Sequence, residues 1–168
     1  SGNATITIAS GQTTGTATVA APTDDAYLDA STVNASITAV SGGTTFESLA
    51  FSTVAASTTI PDTVDVTTLS LSGSASVGEG GNGSYTLTLT QAVQGTPLTV
   101  TLSYGGSATD GVDYTSVTTV VIPVGASSAP FTIPVASDAL VEGAETIVVS
   151  VASMSGGNYE SLAIGGGA

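Results

Sequence analysis

No lysine, arginine or histidine occurs among the 168 residues, against 13 aspartates and glutamates, for a formal net charge of −13. Apart from the terminal amine, the chain holds no group that can pair with those carboxylates. Nucleic acid and anionic membrane are both bound through Lys and Arg, so neither is an expected partner. Without His, Cys or Lys the common acid–base and nucleophilic constellations cannot be built. A carboxylate-pair glycosidase would want clustered aromatics around a sugar, and five Tyr, three Phe and no Trp do not supply them. No enzyme and no organic cofactor are expected. The lack of cysteine removes any disulfide framework or thiolate metal site. Thr, Ser and Gly interrupt every apolar run well short of the roughly 18 residues a membrane span needs. The start Ser1-Gly2-Asn3-Ala4 is neither a secretory leader nor an initiating Met, so the chain reads as a segment of something longer.

What remains is Thr, Ser, Val, Ala and Gly, a composition that favours short strands and tight turns over helices. Hydrophobic residues make up 41%, enough for a core built largely of Ala and Val. An internal repeat sets the organisation. Gly11 recurs as Gly125, 114 residues on; Asp24 recurs as Asp138 and Gly42-Gly43 as Gly156-Gly157. After one deletion Phe46-Glu47-Ser48-Leu49-Ala50 recurs as Tyr159-Glu160-Ser161-Leu162-Ala163. That spacing is close to one sandwich domain. Residues 1–66 then form the back half of one β-sandwich with its linker, and residues 67–168 the next sandwich without its last strand.

Period-2 alternation places six strands in the second unit: Thr67–Val77, Ser84–Thr90, Leu98–Tyr104, Thr118–Pro123, Pro130–Val135 and Thr146–Ala152. In the first unit the last strand is Ser52–Ile60. The expected class is all-β: tandem antiparallel immunoglobulin-like Greek-key sandwiches, one and a half repeats long.

In such a fold successive connections alternate between the two ends. Glu79 follows the first strand of the second unit, Asp110 and Asp113 the third, and Asp138, Glu142 and Glu145 the fifth. All six fall at one end, and Glu160 alone at the other. The first unit obeys the same rule: Asp24, Asp25 and Asp29 follow its fifth-strand equivalent and Asp62 and Asp65 its last strand, with Glu47 opposite. Strands of six or seven residues separate the ends by roughly 20 Å, so 11 of 13 acids are gathered rather than spread. Two carboxylates about 4 Å apart repel by roughly 4 kcal/mol at an effective dielectric near 20. The set must spread into solvent, take up protons or hold a cation. Ca²⁺ takes six to eight oxygens from several loops; Mg²⁺ usually keeps several waters and Zn²⁺ prefers nitrogen and sulfur. Ca²⁺ is the expected ion, and the 11 acids are its candidate ligands. The competing reading is a solvated acidic rim that serves solubility. Tyr27 and Tyr114, beside the acidic loops, are expected to pack into a core rather than to stack on a ligand.

Residues 67–168 resemble the Calx-beta family of sodium–calcium exchangers and large extracellular proteins. The resemblance is carried by G-S-A-T-D-G-V-D-Y-T at Gly106–Thr115, by V-V-I-P-V-G-A-S-S, and by F-T-I-P-V-A-S-D-A-L-V-E-G-A-E-T-I. It implies Ca²⁺ bound by Glu79, Asp113, Asp138, Glu142 and Glu145, completed by aspartates after the last strand, which match Asp62 and Asp65 in the first unit. Ser137 and Ala139 stand where the family often has further Asp; Leu28 and Ser31 fill the first-unit positions of Glu142 and Glu145, with Asp29 close by. The tandem form, with its I-P-D-T-V-D linker and A-P-T-D-D-A-Y-L-D-A loop, is similar to extender repeats of giant bacterial RTX adhesins exported by type I secretion. It implies a secreted, cell-surface stalk. Ca²⁺ on Asp24, Asp25, Asp62 and Asp65, with Glu160 nearby, would stiffen the linker. The expected partners are neighbouring repeats of the same chain and neighbouring copies that complete a strand. The alternative is a secreted module that binds sugar or protein through Ca²⁺.

Overall fold

Alternation of small apolar and hydroxyl side chains makes every element a strand: among the described residues, 3–28, 32–139 and 143–165 of the computed structural model, nine strands form and no helix. The chain divides into two units, Ser1–Asp24 with Ser31–Asp62, and Asp25–Ala30 with Thr63–Ala168.

In the first unit β1 (Thr32–Ala35) pairs antiparallel with β2 (Ala56–Thr59), Thr32 opposite Thr59 and Ala35 opposite Ala56. The repeat aligns residues 4–8 and 16–21 with the fourth and fifth strands of a sandwich, yet neither stretch is a strand here. The reason is partnership. In the second unit those two strands hydrogen-bond to its third and second strands; among the described residues neither stretch of the first unit has a strand beside it. β1 and β2, equivalent to the sixth and last strands, pair with each other and so persist.

The second unit is a β-sandwich. β3 (Val66–Gly73), β4 (Asn82–Leu89), β5 (Leu98–Gly106), β6 (Thr119–Ile122), β7 (Ser128–Pro134), β8 (Ile147–Ser155) and β9 (Ser161–Ile164) form two sheets, ordered β7-β4-β3-β9 and β6-β5-β8. Six of these seven strands overlap the six read from the sequence. β9 was not expected: it runs parallel to β3, Val66 opposite Ser161 and Leu69 opposite Ile164. β3 is shorter than expected and ends at Gly73, where the Tyr85 ring lies over the glycine; a Cβ there would collide with it. Tyr85 in turn stacks on Phe131 at 5.3 Å.

Every second residue points inward. Leu69, Leu87, Leu98, Val100, Ile122 and Ile133 are fully buried and fill the space between the sheets. Ile147, Val149 and Val151 of β8 point the same way but are only half-buried. Asp25–Ala30 joins this unit. Tyr27 stacks on Tyr159 at 5.5 Å, its hydroxyl donates to the Ala92 carbonyl, and the Tyr159 hydroxyl donates to that of Gln91 at 3.0 Å.

Candidate functional site

Three connections leave the same end of the second unit: residues 74–81 after β3, 107–118 after β5 and 135–146 after β7. Backbone hydrogen bonds stitch them together. Gly80 N–H donates to Ala136 O at 3.1 Å, Val135 N–H to Gly81 O at 2.9 Å, and Ala136 N–H to Asp113 O at 2.8 Å. Ala108 N–H donates to Thr146 O at 3.1 Å, and Thr146 N–H to the Ser107 hydroxyl at 3.0 Å. Gly106 allows this approach. Its φ is +110°, in the region that side chains avoid, and a Cβ would overlap the Thr146 carbonyl oxygen.

The stitched loops enclose a pocket of about 490 Å³. Glu79, Asp113, Asp138 and Glu145 all line it, with Val77, Val112 and Tyr85. Glu79, Asp138 and Glu145 are exposed and Asp113 is half-buried. Asp113 Oδ2 accepts the Thr109 amide at 2.6 Å, which fixes that carboxylate on its loop. The donor set is all oxygen, the hard-ligand chemistry Ca²⁺ takes. Among the described residues no three acids stand close enough to hold an ion as they are. The four carboxylates ring the pocket rather than converge in it.

The other sequence-predicted acids are placed differently. Asp110 does not line the pocket. Its oxygens accept the Ser116 hydroxyl at 2.7 Å and the Ser116 amide at 2.9 Å. Those bonds, the hydroxyl first, hold its carboxyl below the ordinary aspartate range. Glu142 and Asp29 lie outside the described residues. Asp24 and Asp62 belong to the first unit, Asp25 and Asp65 to the second. Asp25 Oδ1 accepts the Tyr27 amide at 2.9 Å. The Asp65 amide donates to Glu160 Oε2 at 2.7 Å.

The tyrosines are packed, not displayed. Tyr114 is buried and its ring lies 5.6 Å from that of Tyr104. The Tyr104 hydroxyl donates to Val117 O at 2.9 Å and accepts its amide at 3.0 Å. Burial raises the pKa of both phenols; for Tyr114 the charges of Asp110 and Asp113 add to it.

A family model for the LapA domain matches residues 1–63 and 65–168. The chain belongs to the LapA domain family. LapA domains are associated with cell-surface adhesins, and adhesion at the cell surface is the setting this membership gives the chain. The two matched segments fit the internal repeat. Neither curated proteins nor solved structures gave a match.

Proposed function

We propose that this LapA chain is a calcium-stabilised extender repeat in the stalk of a secreted cell-surface adhesin. One observation carries the reading: in a chain without a single basic side chain, four acids from three separate loops line one pocket. Glu79, Asp113, Asp138 and Glu145 are the residues that would hold the ion, and Glu142 joins them by its place in the same loop. When bound, Ca²⁺ supplies two positive charges and a demand for six to eight oxygens at about 2.3–2.6 Å. The carboxylates of the three loops meet that demand together, so the end of the sandwich is locked as one piece. Glu79 ties in the β3–β4 connection, Asp113 the β5–β6 connection, and Asp138 and Glu145 the β7–β8 connection. Extracellular modules bind Ca²⁺ with Kd of about 10⁻⁴ to 10⁻³ M. Such a site is empty in cytosol and filled outside the cell, so the stalk would stiffen after export.

The Calx-beta-like motifs belong to the same reading, since they contribute Asp113, Asp138 and Glu145. The test is thermal unfolding titrated with Ca²⁺, Mg²⁺ and EDTA. The proposal expects a rise in melting temperature with Ca²⁺ that EDTA reverses and Mg²⁺ matches poorly. Identical melts in all three would leave a solvated acidic rim.

A further inference from the structure

Asp25–Ala30 parts company with its neighbours in sequence. The residues on either side, Ser1–Asp24 and Ser31–Asp62, make the first unit, while this strap belongs to the second. A short ladder holds it there. Leu28 N–H donates to Asn158 O at 3.0 Å, Asn158 Nδ2 to Leu28 O at 3.2 Å, and Glu160 N–H to Ala26 O at 3.2 Å. Tyr27 and Tyr159 face each other across it as an antiparallel bridge.

Directly opposite residues on paired strands project to the same side, so the two rings start side by side and run the same way. They stack with centroids 5.5 Å apart and 27° between their planes. Their hydroxyls end on the carbonyls of consecutive residues, Tyr27 on Ala92 and Tyr159 on Gln91. The stack is therefore head to head, and the Cε carbons that flank each hydroxyl come to the same end of it. Exposure is unequal. Tyr159 is buried and Tyr27 half-buried, so Tyr27 is the phenol that a reagent in solution reaches.

We propose that Tyr27 and Tyr159 form an oxidative cross-linking site, where a peroxide-driven one-electron oxidant joins them through a Cε–Cε bond and fastens the strap covalently to the second unit. Each phenol gives up one electron and one proton and becomes a phenoxyl radical, whose unpaired electron is shared with the Cε positions. The oxidant takes the first electron from Tyr27. Tyr159 refills Tyr27 through the stack, and Tyr27 is then oxidised again. The two radicals pair as a carbon–carbon bond, and each ring returns the hydrogen on that carbon to its oxygen. Two C–H bonds have become one C–C bond, and the two electrons and two protons reduce one hydrogen peroxide to two waters. The chain has neither cysteine nor lysine, so disulfides and lysine-derived amides are closed to it; tyrosine coupling needs neither. Cell-surface proteins work in the oxidising surroundings where covalent staples persist. A link between residues so far apart in sequence restricts the unfolded chain and so stabilises the folded one. The site does not depend on calcium.

The 168-residue chain is oxidised at low concentration with hydrogen peroxide and a haem peroxidase, once in calcium and once in EDTA. The monomer is then denatured, cleaved after Asp and Glu, and read by mass spectrometry and by the blue fluorescence of coupled tyrosine. Such cleavage releases Ala26–Asp29 and Thr146–Glu160, each with one tyrosine. The expected result is that these two peptides leave joined, lighter than their sum by two hydrogens, in calcium and in EDTA alike; oxygen gained by Met154 is counted separately. Tyr27→Phe and Tyr159→Phe each keep a ring in the stack and should abolish the joined product, whereas Tyr104→Phe should keep it. The joined chain should also unfold at a higher urea concentration than the unjoined one. No coupled product, or coupling only between copies, overturns the proposal. So does coupling confined to Tyr104 and Tyr114, or a yield that is as high when the chain is oxidised in unfolding urea, since the folded stack would then play no part.

Discussion

Calcium added at constant ionic strength should raise the melting temperature of the second unit, and sodium should not replace it. The pocket holds about 490 Å³. A sphere of that volume is about 10 Å across, so carboxylates on opposite walls repel by about 0.4 kcal/mol at the dielectric constant of water. Screening at physiological salt lowers that to about 0.1 kcal/mol per pair. Even with all six pairs of the four acids counted, screening recovers at most about 2 kcal/mol, and at constant ionic strength it is the same for sodium as for calcium. Coordination comes on top of it and belongs to calcium alone. A ligand at roughly ten to a hundred times its Kd stabilises the state it binds by about 1.4–2.7 kcal/mol. For a domain of this size each kcal/mol moves the midpoint by about 4–8 °C, so the shift should be about 5–20 °C.

The chain supplies its own probe. All five tyrosines, Tyr27, Tyr85, Tyr104, Tyr114 and Tyr159, belong to the second unit. The tyrosine band of the near-ultraviolet circular dichroism spectrum therefore follows that unit alone. Melts in about 10 mM CaCl₂ and about 30 mM NaCl have the same ionic strength and differ only in coordination. Equal midpoints in the two salts would refute the calcium reading. Asp138→Asn combined with Glu145→Gln should remove most of the calcium shift and leave the sodium melt within about 1 kcal/mol of wild type, because both side chains are exposed. Asp110→Asn, outside the pocket, should keep the whole calcium shift. A double variant that still responds in full would be equally damaging.

Three further outcomes follow from the loops and the buried phenols. Gly106→Ala should destabilise the second unit by about 2 kcal/mol or more, read by urea unfolding, since it combines a forbidden φ with overlap of the Thr146 carbonyl oxygen. Asp110 is held below its ordinary range by Ser116. The stability it contributes is present above its unfolded value, about 3.9, and lost as pH falls through the folded one. Asp110→Asn should therefore be less stable than wild type near neutrality, with the gap closing below about pH 4. Tyr104, Tyr114 and Tyr159 are shifted upward by burial. Their contribution is complete below about pH 10 and is lost as pH rises through the folded values. Tyrosinate absorbance from these three phenols should appear late and together with unfolding; their early titration would contradict the packing.

Local alternation was enough to find six strands of the second unit, because runs such as S-Y-T-L-T-L-T encode which face is buried. It could not find β9. Ser161-Leu162-Ala163-Ile164 is too short to show a period, and its partner β3 lies about 95 residues earlier in a parallel ladder. The opposite failure is just as physical. Ala4-Thr5-Ile6-Thr7-Ile8 alternates well, yet it is not a strand, since a strand is a property of a pair. Parity of the connections puts Glu79, Asp113, Asp138 and Glu145 at one end of the unit, and these four line one pocket. It could not separate Asp113 from Asp110, three residues away in the same loop, because Ser116 decides which way Asp110 turns. Tyr27 was legible as a packing residue but not as part of the second unit. The repeat aligns it with Val141 and gives no hint of its stack on Tyr159.

A chain with 13 acids and no basic side chain cannot use ion pairs, and this limits what its carboxylates can do. One outlet is the backbone. Asp25 accepts the Tyr27 amide, Asp113 that of Thr109, Asp110 that of Ser116, and Glu160 that of Asp65. Charged acceptors make the stronger hydrogen bonds, so these acids shape loops in the way a salt bridge would elsewhere. This use is local and needs no partner from outside. Glu79, Asp138 and Glu145 have a further property: they come from two loops and line one pocket together with Asp113. Loop-shaping would not require that shared lining, whereas the proposed cation would. Asp113 belongs to both groups, with one oxygen on Thr109 and its own carbonyl on Ala136. Replacing it by Asn should therefore loosen the loops even without calcium. Glu79→Gln should be silent until calcium is added, and that contrast separates an acid that builds the pocket from one that only waits on its wall.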